Sequence, residues 1–259
     1  MSSTLIHLAK NDFKSKYAGS VGGIIWAFAQ PVVTILIYWF VFGVAFQSGA
    51  VEGGSSGGRM PYVLWLVAGV VPWLFVSEAV GGITSSLTDY SYLVKKVVFN
   101  VKQLPYVRTL SALFVHLFFV GLIFAVSAAY GYYPRVLHLQ VLYYIAAATA
   151  LALGAGRIFA VLTAFFKDVQ IIVGVIIQIG FWLTPIFWEI SALPERLRFW
   201  FSLNPVYYII GGYRNTFVYG IPFFRDFWGM LYFWGVVLLL LTLGEYMFNR
   251  LKPHFADVL

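Results

Sequence analysis

The sequence predicts an all-α integral membrane fold of six transmembrane helices, with an N-terminal interfacial helix and a two-helix re-entrant hairpin between spans five and six. Three observations predict it. Of the 259 residues, 61% are hydrophobic and 10% charged, where a soluble domain carries about 25% charged residues, so most of the chain must face lipid or neighbouring helices. Six apolar segments each approach or exceed the roughly 20 residues that a helix needs to cross a bilayer. Between the fifth and the sixth, residues 180–219 break at Thr184-Pro185 and carry two helix starts, each too short to span.

The whole chain, 1–259, reads as one transmembrane domain. Residues 1–23 open it with Leu5, Ala9, Phe13 and Tyr17 at four-residue spacing, while Lys10, Asp12, Lys14 and Lys16 fall at other positions. That pattern suits an amphipathic helix lying in the membrane interface. No secretory signal is read here, because lysines precede the apolar run and no cleavage pattern follows. The first span, Ile24 to Phe46, is uncharged and holds Pro31, a site for a kink. A Gly/Ser-rich loop follows. The second span, Tyr62 to Ser85, contains Pro72 and Glu78. Residues 88–104, with three lysines, read as a loop holding a short helix. Pro105 to Tyr130, Val141 to Phe166 and Val169 to Trp188 make spans three to five, and Phe227 to Asn249 the last.

All eight lysines fall on one side if the N-terminus lies inside: Lys10, Lys14, Lys16, Lys95, Lys96, Lys102, Lys167 and Lys252. Short loops rich in lysine and arginine stay in the cytoplasm. Both termini are therefore expected there, and residues 189–225 on the outer face. Within that segment Ser191 is a candidate cap for a helix whose first turn holds Pro194 and Glu195. Asn204-Pro205 is a second start, with Asn at the cap and Pro at the first helical position, running toward Arg214.

Several chemistries are excluded. The chain has no cysteine, hence no disulfide and no thiolate metal site. There is no P-loop, so ATP phosphates cannot be cradled in one, and no metalloprotease motif. His7, His116, His138 and His254 lack metal-ligand spacing, and no cofactor is expected on this chain. The scattered positive charges form no stripe for nucleic acid. Two charges lie within spans, Glu78 and Arg157, and are expected to pair across spans two and four or to snorkel. Glu245 is expected to reach cytoplasmic water. Trp26, Trp65, Trp188 and Trp228 suit interfacial belts, whereas Trp39, Trp73 and Trp182 lie deeper. Flat aromatic faces let a polyhydroxylated chain slide, and helix packing accounts for the same residues equally well.

The ordered motifs carry a resemblance. Lys16-Tyr17-Ala18-Gly19-Ser20, followed by Gly23, Trp26 and Pro31, resembles the opening signature Arg/Lys-Tyr-x-x-Ser-x-Leu-Gly-x-x-Trp-x-x-x-x-Pro of the ABC-2 type permeases that export bacterial polysaccharides. Gly69-Val-Val-Pro72-Trp73, Phe165-Phe-Lys-Asp168, Thr184-Pro185-Ile186, Leu193-Pro194, Asn204-Pro205 and Arg214 follow in order. Departures are Gly22 in place of Leu, Lys16 and Lys167 in place of Arg, and Arg157 where no charge is expected.

The resemblance implies a homodimer in the bacterial inner membrane, assembled with two copies of a cytosolic ATPase that brings ATP and Mg. It implies that residues 88–104 seat on that ATPase, with Tyr92, Lys95, Lys96 and Lys102 as coupling candidates. It further implies a lipid-linked polysaccharide moved along a path with candidates Tyr38, Trp39, Phe42, Trp73, Trp182 and Phe187. The outer gate would be built on Pro185, Ser191, Asn204, Pro205 and Arg214. An ABC-2 exporter of small drugs or lipids would share this topology. A membrane enzyme acting on lipid-linked sugars should instead show clustered carboxylates, and only Glu189, Glu195 and Asp226 are nearby outer candidates.

Overall fold

The computed structural model describes residues 2–46, 51–52, 59–95 and 99–259, so Lys96 lies outside the described residues. The chain opens with α1 (Ser2–Lys16), then α2 (Ile25–Tyr38), which passes through Pro31 and continues without interruption as a π-helix, Trp39–Ala45. A two-residue antiparallel ladder, β1 (Val51–Glu52) with β2 (Arg59–Met60), pairs Val51 with Met60. The long helix α3 (Tyr62–Asp89) follows, then a short α4 (Ser91–Val94).

Asn100 caps the single turn Val101–Gln103, its side chain accepting from the Lys102 N–H, and leads into α5 (Leu104–Ala129). Next come α6 (Val141–Phe165) and α7 (Asp168–Leu183). Two short helices, α8 (Glu195–Ser202) and α9 (Pro205–Arg214), precede α10 (Phe227–Leu251) and the terminal turn α11 (Phe255–Val258).

Five of these segments are long and apolar enough to cross a membrane: those at 25–45, 62–89, 101–129, 136–165 and 227–254. The apolar α7 has 16 residues, about 24 Å of helix against a hydrocarbon core of about 30 Å. It stops at Leu183, five residues before the expected end at Trp188. Thr184 adopts an extended conformation because Pro185 follows, and a residue ahead of proline is pushed out of the α region.

The bundle is built around α3. In its most apolar window 78% of residues are buried, against 11% for the first span and 17% for the last, which makes it the axis on which α5, α6, α7 and α9 pack. The approach of α6 depends on a glycine: a Cβ at Gly156 would lie 2.8 Å from the Ile83 side chain. Lipid offers no hydrophobic drive for helix association, so close backbone contact of this kind supplies the dispersion that replaces it. By contrast, α2, its π-helical continuation and α7 leave Leu36, Ile37, Phe40, Ile172, Ile176 and Ile179 about half exposed.

The two ends of the bundle differ. One gathers α1 against α5, and α11 against α4 and α6. The other gathers residues 130–140, where the Tyr132 hydroxyl donates to the Arg59 carbonyl and Gln140 binds Thr216 and Ile221. Residues 184–226 belong to this second end.

Candidate functional site

Where α7 breaks, its freed backbone groups are taken up by side chains from α9. The Thr184 N–H and hydroxyl both donate to the Gly180 carbonyl, at 2.8 and 2.6 Å, and close the helix. The next two carbonyls, of Pro185 and Ile186, accept from the Arg214 Nη1 and Nη2 at 2.8 and 2.6 Å. Asn204 acts twice: its Oδ1 accepts from the Val206 N–H and caps α9, while its Nδ2 donates to Thr184 Oγ1 at 2.9 Å. Pro205 then starts the helix with its φ already set. Buried backbone carbonyls need such partners, because leaving one bare costs about 1–3 kcal/mol.

Arg214 is 4% exposed. Among the described residues no carboxylate lies within ion-pair distance of it. Its charge is met by the two carbonyls and by the face of Trp65, with the guanidinium carbon 3.4 Å from the ring centroid. Gly69 leaves room for it, because a Cβ there would sit 2.7 Å from Arg214 Nη2. Pro185, Asn204, Pro205 and Arg214, predicted as gate residues, thus converge on one knot. Ser191 does not: it lies in the turn Ile190–Ala192 and donates to Glu189 Oε2, while Pro194 holds the cap position of α8. A proline ahead of Glu195 fixes an extended backbone at that point and leaves Ser191 too far upstream to cap.

Next to the knot stands a wall of rings. Phe187 is central, with centroids of Tyr38 and Phe42 both at 4.7 Å, Phe181 at 5.2 Å and Trp182 at 5.9 Å. Trp73 reaches the wall through Phe181 at 5.9 Å. Five of the six predicted path residues are therefore contiguous. Trp39 is not in it: it makes no ring contact among the described residues, is 40% exposed and packs beside Gly43. Phe187 is itself 8% exposed and Trp182 56%, so in the single chain Trp182 presents the open face and Phe187 supports it.

The other end is organised by charge. Asp12, expected on the polar face of α1, is 2% exposed. Its Oδ1 meets Arg108 Nη1 at 3.0 Å and accepts from the Tyr90 hydroxyl at 2.6 Å. Burial, and then the bond to Asp12, raise the Tyr90 hydroxyl pKa above its ordinary value, which keeps it a donor. Arg108 also pairs with Asp89 and lies over the Tyr90 ring.

Glu78 and Arg157 do not pair with each other. Glu78 binds Lys16 at 2.6 Å, and Arg157 binds Glu245 at 3.2 Å while stacking on Tyr106. Glu245 also receives Lys102 at 2.9 Å, so its half-buried carboxylate bridges two helices and the loop rather than simply meeting water. Of the coupling candidates, Tyr92 is 58% exposed and Lys95 is exposed, while Lys102 is held by Glu245.

The ABC-2 type transporter family matches the chain over residues 4–218, from α1 through the knot. The chain belongs to that family. Similar proteins include an O-antigen export system permease protein RfbA of Klebsiella pneumoniae, 27% identical over 267 residues, covering 98% of this chain and 94% of the relative. A second of that name and organism is 28% identical over 258 residues, and one from Myxococcus xanthus 26% over 258, each with the same coverage.

In this ABC-2 type transporter chain, three residues that hold the knot were not singled out from sequence. Tyr213, fully buried, shares a hydrogen bond with His116 Nε2 at 2.7 Å and ties α9 to α5. Gln140 binds Thr216 Oγ1, the Ile221 carbonyl and the Phe223 N–H, fixing the turn beyond α9. His116 and Gln140 are polar residues in or beside apolar runs, and that is the only sequence signal they give. Among the described residues no group of three or more His, Asp or Glu side chains is placed to hold a metal.

Proposed function

We propose that this chain is the membrane permease of an ATP-driven exporter that moves a lipid-linked polysaccharide out of the bacterial cytoplasm through the inner membrane. The observation that carries the reading is the wall of Tyr38, Phe42, Trp73, Trp182 and Phe187 ending on the Arg214 knot. Apolar ring faces with few fixed charges hold a sugar chain weakly at many positions, which favours sliding over capture. Relatives that cover almost the whole chain are named as O-antigen export permeases, and this supports a glycan cargo.

In this proposal α7 and residues 184–188 together make a sixth crossing, and both termini lie in the cytoplasm, as the lysine bias favours. Two copies meet through α2 and α7, whose apolar faces are open in the single chain. Trp182 then presents the open face of the wall to the path between copies, with Phe187 and Trp73 buried behind it, and α8 and α9 form a re-entrant gate at its outer end. A separate ATPase, in two copies, seats on residues 88–104, with Tyr92 and Lys95 facing it. ATP and Mg are held by that partner.

Deletion of the gene in its host, with surface glycan followed by gel and antibody, tests the reading. The expected result is loss of surface glycan and accumulation of the lipid-linked polymer inside, restored by the wild-type chain. Normal surface glycan together with impaired efflux of a drug or lipid would overturn the glycan cargo.

A further inference from the structure

Beside the aromatic wall the hairpin borders an open cavity, lined in part by the gate residues Ser191 and Arg214. It occupies about 270 Å³ between α9, the outer ends of α3 and α6, and the segments around Glu189 and Asp226. At about 30 Å³ per water molecule it has room for roughly nine waters, a space that one sugar ring would fill. None of the wall residues Tyr38, Phe42, Trp73, Trp182 and Phe187 lines it.

Its chemistry is mixed in a specific way. Glu189 and Asp226, both exposed, contribute carboxylates. Each carboxylate is partly engaged, Glu189 by Ser191 and Tyr219, and Asp226 by the Gly229 N–H, and each retains acceptor capacity. From the interior comes Arg214, whose Nε is buried and has no hydrogen-bond partner. Asn215 and Tyr207 add an amide and a phenol that make no side-chain hydrogen bond among the described residues. The floor is open at Gly211, where an added Cβ would meet nothing within 4 Å.

This set selects against anions. Two exposed carboxylates repel an anion, and the buried Arg214 guanidinium at the cavity wall offsets part of their charge. A neutral polyhydroxylated ligand suits it, because its hydroxyls can donate to the two carboxylates and accept from the Asn215 amide, while ring faces cover the C–H side of a pyranose. We propose that this cavity is an exit-side saccharide subsite, holding one neutral sugar unit of the cargo while α9 is seated. The proposal rests on the glycan reading above and adds to it a binding position outside the aromatic wall.

The test uses the full-length permease in lipid nanodiscs, with D-galactose, L-rhamnose and N-acetyl-D-glucosamine as probes in saturation-transfer NMR. At least one sugar should give a signal that saturates in the millimolar range. Glu189→Gln and Tyr207→Phe should each weaken it about tenfold, the scale of one lost hydrogen bond to a charged or buried partner. Gly211→Leu should abolish it, since the new side chain enters open space and favours the helix. Saturable binding undiminished in Gly211→Leu, or no saturable binding of any probe, overturns the subsite. Surface glycan measured in the host separates the two readings: export without sugar binding removes the subsite alone, whereas surface glycan that persists without the chain removes the cargo assignment.

Discussion

Replacing Arg214 by methionine is the sharpest perturbation of the knot, because one side chain carries two carbonyls and a ring face. Leaving the Pro185 and Ile186 carbonyls bare costs about 1–3 kcal/mol each, and the lost stacking on Trp65 about 2 kcal/mol. Against this stands relief from burying a guanidinium, several kcal/mol in an interior of low polarity. The balance is destabilising by about 3 kcal/mol, or about 6–12 °C in the melting temperature of a chain this size.

Purified protein in detergent, melted with tryptophan emission as the signal, reads this directly because Trp65 lies under the guanidinium. Arg214→Lys should recover part of the loss, keeping the charge but not the planar contact. Gly69→Ala perturbs the same group from the opposite side, pushing a methyl to 2.7 Å from Nη2. Its effect should shrink when combined with Arg214→Met. A melting temperature within about 2 °C of wild type for Arg214→Met, well below the shift expected from its contacts, would refute the assignment of the break to this residue.

Other outcomes follow from the same geometry. Phe187→Ala removes the ring on which Tyr38, Phe42, Phe181 and Trp182 converge, and should cost about 3–5 kcal/mol for a buried phenylalanine. Surface glycan should fall more than the melting shift accounts for, and a fall matching the stability loss would indicate packing alone. Asp12→Asn keeps the shape but weakens the pairing with Arg108. It should destabilise by about 1–3 kcal/mol, since it weakens charged hydrogen bonds to Arg108 and Tyr90 while Arg108 keeps Asp89, and should open α1 to proteolysis, while unchanged protection would count against docking through Asp12. Lys95→Glu should leave assembly with the ATPase detectable while uncoupling ATP hydrolysis from export, and normal export at normal hydrolysis would remove Lys95 from the coupling surface.

Residues 184, 185, 204, 205 and 214 were legible in the sequence because helix punctuation is local: proline bars the preceding residue from the helix, and asparagine caps the helix that begins after it. Their convergence was not legible from punctuation. Glu78 and Arg157 show why. Hydropathy gives the depth of a residue in the membrane but not the direction it faces, and at similar depths each found another partner.

Asp12 was misplaced by the same reasoning, since periodicity assigns a carboxylate to water unless its distant partners Arg108 and Tyr90 are known. The π-helix at Trp39–Ala45 left no trace in composition. Ser191 was a sound capping residue in a competing position, displaced by the backbone that Pro194 sets.

The burial of Asp12 has a consequence for the order in which the molecule is made. Its partners Tyr90 and Arg108 lie far downstream, the first of them 78 residues away, so neither exists when α1 leaves the ribosome. The first helix must wait with its carboxylate unpaired until Tyr90 and Arg108 have been made. The N-terminus is thus the earliest part synthesised but cannot complete its contacts before Tyr90 and Arg108 are made, and its seating reports that α3 and α5 are already home.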